Sequence, residues 1–260
     1  MRPSRLSRLY PLRGLPSQGQ LWNWISFDVA NQSFTLIVNT LLFSIFFQKI
    51  VVRDPARDDL LWSLTYAASM LLVVIVSPFA GALADARAWK KASLLFTGFT
   101  CAAFTCALAL IQPGQIALAI ALYIPANFMF SIGENFLASF LPELCARENF
   151  GRVSGFSWAC AYAAALLLLI ITAGLMVGFH LETPDRWRPI FVFAGLWFFA
   201  FALPTLLWLR ERPAAPGAPA DRLLADSVGR LATTIREAAR FRDLAILLAA
   251  SLFYGTGMTV

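Results

Sequence analysis

The chain has 260 residues, of which 59% are hydrophobic and only 14% charged, whereas an ordinary soluble domain is about 45–50% apolar and about 25% charged. This composition argues against a water-soluble fold. His180 is the single histidine and the four cysteines show no CxxC spacing, which excludes most zinc sites, His-based catalytic triads and disulfide frameworks. We therefore predict no metal and no cofactor.

Six charge-poor runs are each long enough to cross a bilayer, which takes about 20 mainly apolar residues. Residues 112–115, Gln-Pro-Gly-Gln, have the composition of a turn and divide one long uncharged stretch into two spans. The predicted spans cover residues 22–48, 60–84, 92–111, 116–142, 153–179 and 189–209. They make residues 22–209 an all-α, polytopic membrane bundle of six transmembrane helices.

Lysines and arginines are distributed unevenly along the chain. The N-terminal arm (residues 1–21), the second and fourth loops and residues 210–243 hold 16 of the 21, and the alternate loops hold five. Because Lys and Arg concentrate in cytoplasmic loops, we predict a multi-pass protein of the cell membrane with a cytoplasmic N-terminus. The same topology explains the net charge of +6 without a nucleic-acid partner. A cleaved signal peptide is the alternative for the N-terminus, but the first apolar run exceeds the roughly 7–15 residues of a signal h-region.

Residues 210–243 are predicted to form a cytoplasmic linker. It opens with a proline-rich flexible or extended segment and continues into an amphipathic helix with apolar positions Leu224, Val228, Leu231, Ile235 and Ala238. This helix is predicted to lie on the membrane surface or against the bundle, and a solvated linker helix without a mechanistic role is the alternative. Residues 244–260 form a seventh apolar run, which we interpret as the start of a truncated transmembrane helix.

Two of the predicted spans carry a polar stripe, each confined to an arc of about 100° on a helix that turns 100° per residue. The stripe on the first span consists of Asp28, Asn31, Gln32, Thr35 and Asn39. The stripe on the fourth consists of Asn127, Ser131, Glu134 and Asn135. We predict that the stripes line a water-filled or substrate-filled cleft. The alternative is that these side chains bond across helix interfaces and serve packing only.

Asp28 and Glu134 are ionisable groups inside predicted spans, where a charge is costly and normally faces a cavity or a partner. Glu134 is the candidate for proton coupling, because a poorly solvated carboxyl can load and release a proton. The alternative is a permanent ion pair with Arg152 or with a basic residue outside this sequence. Asp28 lies nearer the start of its predicted span, so we predict that it acts as a gate or a capping residue.

The fifth span begins with small residues at intervals of four, namely Gly151, Gly155, Ala159 and Ala163. A ridge of this kind lets two helix backbones approach closely. These four residues are therefore predicted to serve helix packing, as they would in a transporter or in any other tight bundle.

The loop after the second span combines a glycine, an aspartate four residues later and a cluster of cations, namely Gly81, Asp85, Arg87, Lys90 and Lys91. This pattern resembles the cytoplasmic signature of the major facilitator superfamily. A carboxylate and cations at neighbouring helix ends can form charge-assisted bonds. The resemblance implies that such bonds stabilise one of two access states, so we predict a cytoplasmic gating motif.

Further segments are similar to the vacuolar-effluxer-like branch of that superfamily, which is related to the fungal autophagy protein that exports amino acids from the vacuole. They are WISFDVANQSF at residues 24–34, SPFAG at 77–81, FLP at 140–142, GRVSGFSW at 151–158 and FYG at 253–255. The resemblance implies twelve helices in two six-helix halves. This chain would then be the N-terminal half with part of helix seven, and the missing C-terminal half would be its partner.

These observations favour a secondary transporter that carries a small polar solute across the lipid bilayer by alternating access. Amino acids as substrates are implied by the resemblance alone, and protons are the candidate coupling ion. A membrane enzyme is not supported, since the sequence shows no nucleophile–base pair, metal cluster or phosphate loop. The remaining alternative is a structural or regulatory membrane module that does not transport.

Overall fold

The computed structural model describes residues 10–15, 17–87 and 89–211, together with residues 246 and 250. For residues 82, 83 and 85–87 it describes the backbone only. Within these ranges the fold is all-helical and contains no strand, which confirms the predicted fold class. The basic residues before Tyr10, the amphipathic linker helix and all but two residues of the seventh apolar run lie outside the described residues.

Six long helices follow one another along the chain. They are α1 (Gln18–Ser33), α2 (Asp58–Arg87), α3 (Lys90–Ala107), α4 (Ile116–Ser139), α5 (Phe150–Gly178) and α6 (Arg188–Trp208). A π-helix (Phe34–Leu41), one α-helical turn (Phe43–Phe46) and a second π-helix (Phe47–Val52) extend α1. Short helical turns follow α3 at Leu108–Leu110 and α4 at Leu141–Leu144. Two more precede α5 at Arg147–Asn149 and α6 at Pro184–Arg186.

Among the described residues, five helices are each long and apolar enough to cross a membrane. They cover Asp58–Gly81, Lys90–Leu110, Ile116–Leu144, Arg147–Gly178 and Arg188–Trp208. The pair Gln18–Leu41 and Phe43–Val52 adds a sixth when it is counted as one bent span. Each of the six predicted spans coincides with one of these segments.

The first span is bent by 41° where its two parts meet, a feature that the sequence pattern did not predict. No proline lies there. Instead, the Thr35 hydroxyl donates to the Asn31 carbonyl over 3.2 Å and the Thr40 hydroxyl donates to the Thr35 carbonyl over 2.7 Å. Hydroxyls that bond to the backbone compete with the helical ladder, and π-helical turns are a recognised cause of such bends.

The predicted turn between the third and fourth spans is confirmed. Gly114 adopts a left-handed conformation with φ of 82°, which glycine reaches without steric cost. Its N–H donates to the carbonyl of Val51 over 3.0 Å and so ties this turn to the end of the first span.

Helix packing places α3, α4 and α6 at the centre of the bundle. The helix α3 packs against α4 and α6, α1 packs against α6 and α5, and α2 packs against α4. The α3–α6 contact is very close, since a methyl group on Gly195 would lie 2.8 Å from the Ala102 carbonyl oxygen. Only 11% of the α2 span and 17% of the α5 span is buried, against 33–44% for α3, α4 and α6. The two least covered helices therefore flank the polar stripes on α1 and α4.

Candidate functional site

Side-chain hydrogen bonds connect α1, α2, α4 and α5 into a polar seam. The two predicted stripes meet in it, because the Asn31 amide donates to the Glu134 carboxylate and the Asn39 amide donates to Asn127 Oδ1 over 3.0 Å. The polar seam consists of Asp28, Asn31, Asn39, Ser69, Ser77, Tyr123, Asn127, Glu134, Asn135 and Ser157. Of the nine residues predicted from the two stripes, six belong to it.

A chain of hydrogen bonds joins Asn39, in the π-helix that extends α1, to α4 and α2. The Tyr123 hydroxyl donates to Asn39 Oδ1 over 2.9 Å, and the Asn127 amide donates to Ser69 Oγ over 2.7 Å. The Ser69 hydroxyl then donates to the carbonyl of Tyr66 over 2.7 Å. Tyr123, Asn127 and Ser69 are fully buried. Because both ends of the Asn127 amide are bonded, this residue fixes α4 to α1 and α2 at once.

Glu134 is joined to α1 by a neutral partner rather than by a cation. Its carboxylate accepts from Asn31, a buried amide, and it forms no ion pair with any described residue. Arg152, the cation considered as its partner, instead donates from Nη2 to the carbonyl of Arg13 over 2.8 Å. Arg152 therefore does not form the alternative ion pair with Glu134 in this structure.

Asp28 connects the first and fifth spans, because its Oδ2 accepts a hydrogen bond of 2.7 Å from the buried hydroxyl of Ser157. The suggestion that Asp28 caps its helix is wrong. Helix α1 begins at Gln18, with Ser17 in the N-cap position, so Asp28 lies about 15 Å inside the helix at 1.5 Å per residue. The apolar run that defined the predicted span began only at residue 22, which made Asp28 look closer to the end.

The other end of the polar seam lies between α2 and α4, where the Asn135 amide donates to Ser77 Oγ over 2.9 Å. A small cavity of about 50 Å³ adjoins this pair. It is lined by Ser77, Ala80, Gly81, Ala84, Ile132, Asn135, Phe136 and Ser139. A cavity of this size, with the polar side chains of Ser77, Asn135 and Ser139 on its wall, has room for ordered water.

Three residues of the predicted stripes stand outside the polar seam. Thr35 bonds to the backbone of its own helix. Gln32 and Ser131 are half-buried, and neither has a side-chain hydrogen bond to another described residue. Gln32 and Ser131 therefore add one half-buried polar group each to α1 and α4.

Four members of the polar seam were not predicted, namely Ser69, Ser77, Tyr123 and Ser157. Ser69 and Ser77 lie on α2, Ser157 on α5 and Tyr123 on α4; these helices are mainly apolar, and none of the four residues belongs to a predicted stripe. A serine in such a helix commonly bonds to its own backbone, as the Ser69 hydroxyl does, so it gives no signal of a partner on another helix. Only the repeated amides and carboxylates of α1 and α4 produced a recognisable pattern.

The predicted gating motif is held by two acidic residues that the sequence pattern did not single out. Lys90 Nζ lies 2.8 Å from Glu143 Oε1, with both side chains about four-fifths buried. The backbone N–H groups of Lys90 and Lys91 donate to the two carboxylate oxygens of Glu211 over 2.8 and 3.0 Å, so Glu211 covers the N-terminus of α3. The side chains of Asp85 and Arg87 lie outside the described part, and Gly81 lines the small cavity.

The small-residue ridge of α5 is exposed along its whole length, at Gly151, Gly155, Ala159 and Ala163. The buried face of this helix carries Val153, Ser157, Ala161, Leu168 and Thr172 instead. A methyl group added to Gly151 or Gly155 would meet no atom within 4 Å. Within the described residues, the ridge therefore packs against no other helix.

Comparisons with known proteins agree with this architecture. The family model described as "Vacuole effluxer Atg22 like" matches residues 61–149 and 147–260. An uncharacterized MFS-type transporter of Bacillus subtilis, YxiO, is 22% identical over 91% of this chain and 56% of its own length. Autophagy-related protein 22 of Gibberella zeae is 30% identical over 38% of this chain and 16% of its own length. No solved structure matches the chain.

The chain spans about half the length of the Bacillus relative. The family match covers α2 from residue 61 and all of α3 to α6, including the predicted gating motif and the α4 stripe, and the Bacillus relative adds most of the rest. The relatives of this chain are transporters and not enzymes. This chain therefore belongs to the Atg22-like vacuole effluxer family, within the major facilitator superfamily.

Proposed function

We propose that this chain supplies one half of a secondary active transporter that moves a small polar solute by alternating access. Amino acids, carried in the direction of efflux, are the substrate class that the family suggests. The proposal includes the cell membrane as location and a cytoplasmic N-terminus, following the distribution of basic residues.

The observation that carries the proposal is the polar seam at mid-membrane depth. Glu134 lies ten residues before Leu144, the end of its span, and hence about 15 Å from that end. Lipid tails offer no hydrogen bonds, so half-buried polar groups at this depth need a polar space or another protein segment beside them. A solute pathway along the open face of α1 and α4 provides that space.

The least buried helices suggest where the second half of the transporter packs. The α2 and α5 spans have the lowest buried fractions, and the exposed ridge of α5 offers a surface for close helix approach. The Bacillus relative is almost twice as long as the region that matches this chain, which is enough for a further set of helices. In this arrangement the polar seam would lie between the two halves.

Three groups of residues have separate roles in the proposed cycle. Glu134 couples transport to protons. Its only described partner is the Asn31 amide, which can donate a hydrogen bond to the charged carboxylate. After rotation the same amide can accept a hydrogen bond from the protonated carboxyl. Asp28, bonded to Ser157, acts as a gate between α1 and α5. Asp85, with the cations that follow it, stabilises the state in which the cytoplasmic ends of the helices are packed together.

Counterflow in proteoliposomes tests the proposal. The full-length protein that contains this chain should accumulate labelled amino acids when the vesicles are preloaded with unlabelled ones. Asn39→Leu should abolish counterflow, whereas Thr105→Val should retain it. Thr105 is a matched control because it is buried and bonds only to the carbonyl of Cys101 in its own helix, away from the polar seam.

The alternative function, a structural or regulatory membrane module, makes the opposite prediction. Correctly folded protein would show no counterflow with any of the twenty amino acids or with other small polar solutes. If the Asn39→Leu variant shows the same counterflow as the wild type, the protein transports but the polar seam is not part of the solute pathway.

A further inference from the structure

A second cavity lies far from the polar seam, where α5 ends and α6 begins. Its volume is about 440 Å³ and it opens to the outside of the bundle. All six lining residues are apolar, namely Leu175, Phe179, Leu181, Pro189, Ile190 and Phe193. A cavity with this lining takes a hydrocarbon chain and not a polar solute.

The loop between α5 and α6 holds the wall of this cavity in place. The Leu181 N–H donates to the carbonyl of Met176 over 2.7 Å, and the Leu181 carbonyl accepts from Trp187 Nε1 over 3.0 Å. Arg186 also donates from Nη1 to the carbonyl of His180 over 3.1 Å. These bonds fix the position of Leu181, which lines the cavity.

Arg188, the first residue of α6, precedes the cavity residues Pro189 and Ile190. Its Nε is buried and has no hydrogen-bond partner among the described residues. The nearby carboxylate of Asp185 is fully exposed, and no described ion pair joins it to Arg188. A hydrogen bond from Thr183, with a smaller contribution from the charges of Arg186 and Arg188, holds the pKa of Asp185 below its ordinary value. Nε of Arg188 therefore lacks an acceptor within the described part of the chain, and a phosphate suits a guanidinium well.

The depths of the cation and the cavity match the two parts of a phospholipid. Arg188 begins its span, where arginine reaches the headgroup region. Phe193 lies five residues farther along α6, about 7.5 Å deeper at 1.5 Å per residue. From these positions we propose that the cavity between α5 and α6 binds one anionic phospholipid, with its phosphate on Arg188 and the start of an acyl chain against Leu175 and Phe193.

Photo-crosslinking in vesicles tests this site with the full-length protein. The probe is phosphatidylglycerol with a diazirine near the carbonyl end of one acyl chain, diluted into phosphatidylcholine vesicles. Crosslinks should concentrate on Leu175, Phe179 and Phe193. They should be several times fewer on Leu60 and Leu64, which are open to lipid on α2 at the same end of the bundle. The proposal is overturned if crosslinks are distributed evenly over both helices. It is also overturned if the cavity gives no crosslinks, because a second copy or the rest of the protein then covers it.

Two variants test the role of the cation. Arg188→Gln should weaken labelling at the cavity about tenfold, as expected for the loss of one charge-assisted hydrogen bond. Arg57→Gln should not change it, because Arg57 is an exposed arginine at the same end of the bundle that pairs with Asp54. Unlabelled phosphatidylglycerol should compete for the site, while inorganic phosphate and diacylglycerol should not. Competition by diacylglycerol at equal concentration would show that the phosphate is not recognised.

Discussion

The side-chain amide of Asn31 on the first span donates a hydrogen bond to the carboxylate of Glu134 on the fourth. The two predicted polar stripes meet at this bond and at the Asn39–Asn127 bond, and only this one includes an ionisable group. A change of protonation at Glu134 would alter the bond to α1 directly. In the proposed mechanism, a change of protonation at Glu134 can therefore act on α1 through the bond to Asn31. Both helices line the proposed solute pathway.

Replacing Glu134 by Gln should uncouple transport from protons. Glutamine preserves the shape and accepts a hydrogen bond from Asn31, but it cannot titrate. Accumulation of substrate driven by a pH gradient should be lost, while exchange, which needs no net proton movement, should persist. Glu148→Gln, at an exposed position, is the control and should accumulate substrate normally. Accumulation by the Glu134→Gln variant with an unchanged pH dependence would make Glu134 a packing residue.

Replacing Asn127 by Leu should destabilise the bundle. Asn39 and Ser69 would each lose a buried partner, and a buried unsatisfied group costs about 1–3 kcal/mol. Thermal unfolding of the full-length protein in detergent should show a lower midpoint, and Tyr123→Phe, which removes only one bond, should show a smaller decrease. Thr105→Val should leave the midpoint nearly unchanged. Equal midpoints for all four proteins would mean that the hydrogen-bond chain contributes nothing to stability.

Asp85→Asn should impair the transport cycle more than it impairs expression. The proposed gating role gives Asp85 a charge-assisted contact of about 1.5–3 kcal/mol in only one of the two access states, and the substitution would remove it. Transport rates should fall by about tenfold at unchanged protein levels. Asp185→Asn, at an exposed loop position, should transport at the normal rate, and wild-type rates in both variants would exclude Asp85 from gating.

The basic-residue distribution predicts that Ser17 and Ala218 are both cytoplasmic. In a variant without the native cysteines, Ser17→Cys and Ala218→Cys should not react with a membrane-impermeant thiol reagent added to intact cells. Ala56→Cys, in the exposed turn before α2, should react. The reverse pattern would invert the topology, and labelling of all three would indicate that the reagent had entered.

The exposed ridge of α5 is expected to pack in the complete protein. Gly155→Leu should therefore lower the unfolding midpoint of the full-length protein, because a large side chain would separate the helices. Gly174→Leu is a matched control, since Gly174 is also an exposed glycine of α5 with open space around it. If both variants unfold like the wild type, the ridge faces lipid.

The positions of the six spans and of the two polar stripes could be predicted from the sequence because both are local properties. A span is recognised by an uninterrupted apolar run, and a stripe by the fixed angle between successive residues on one helix. The turn at Gly114 has the same local origin, since only its own residues determine the break. The family signature around Asp85 was likewise contained in a few consecutive residues.

The partners of those residues could not be predicted, because they depend on how the helices pack. Ser157 has no sequence feature that distinguishes it from Ser154 on the same helix, yet only Ser157 faces Asp28. Glu143 and Glu211 similarly gave no signal of their contacts with the start of α3. Such pairings join residues more than 50 positions apart, beyond the reach of any local pattern.

By itself, the sequence determined that the chain is a helical membrane protein with six spans and two polar helix faces, since apolar length and helical repeat act within each segment. The tertiary structure decided that Asn31 meets Glu134, that Asn39 joins Tyr123 and Asn127, and that the ridge at Gly155 is left exposed. It also decided the bend of the first span, where π-helical turns interrupt the α-helix. The physical reason is that a hydrogen bond between two helices depends on their relative rotation and depth, which are set by packing across the whole bundle.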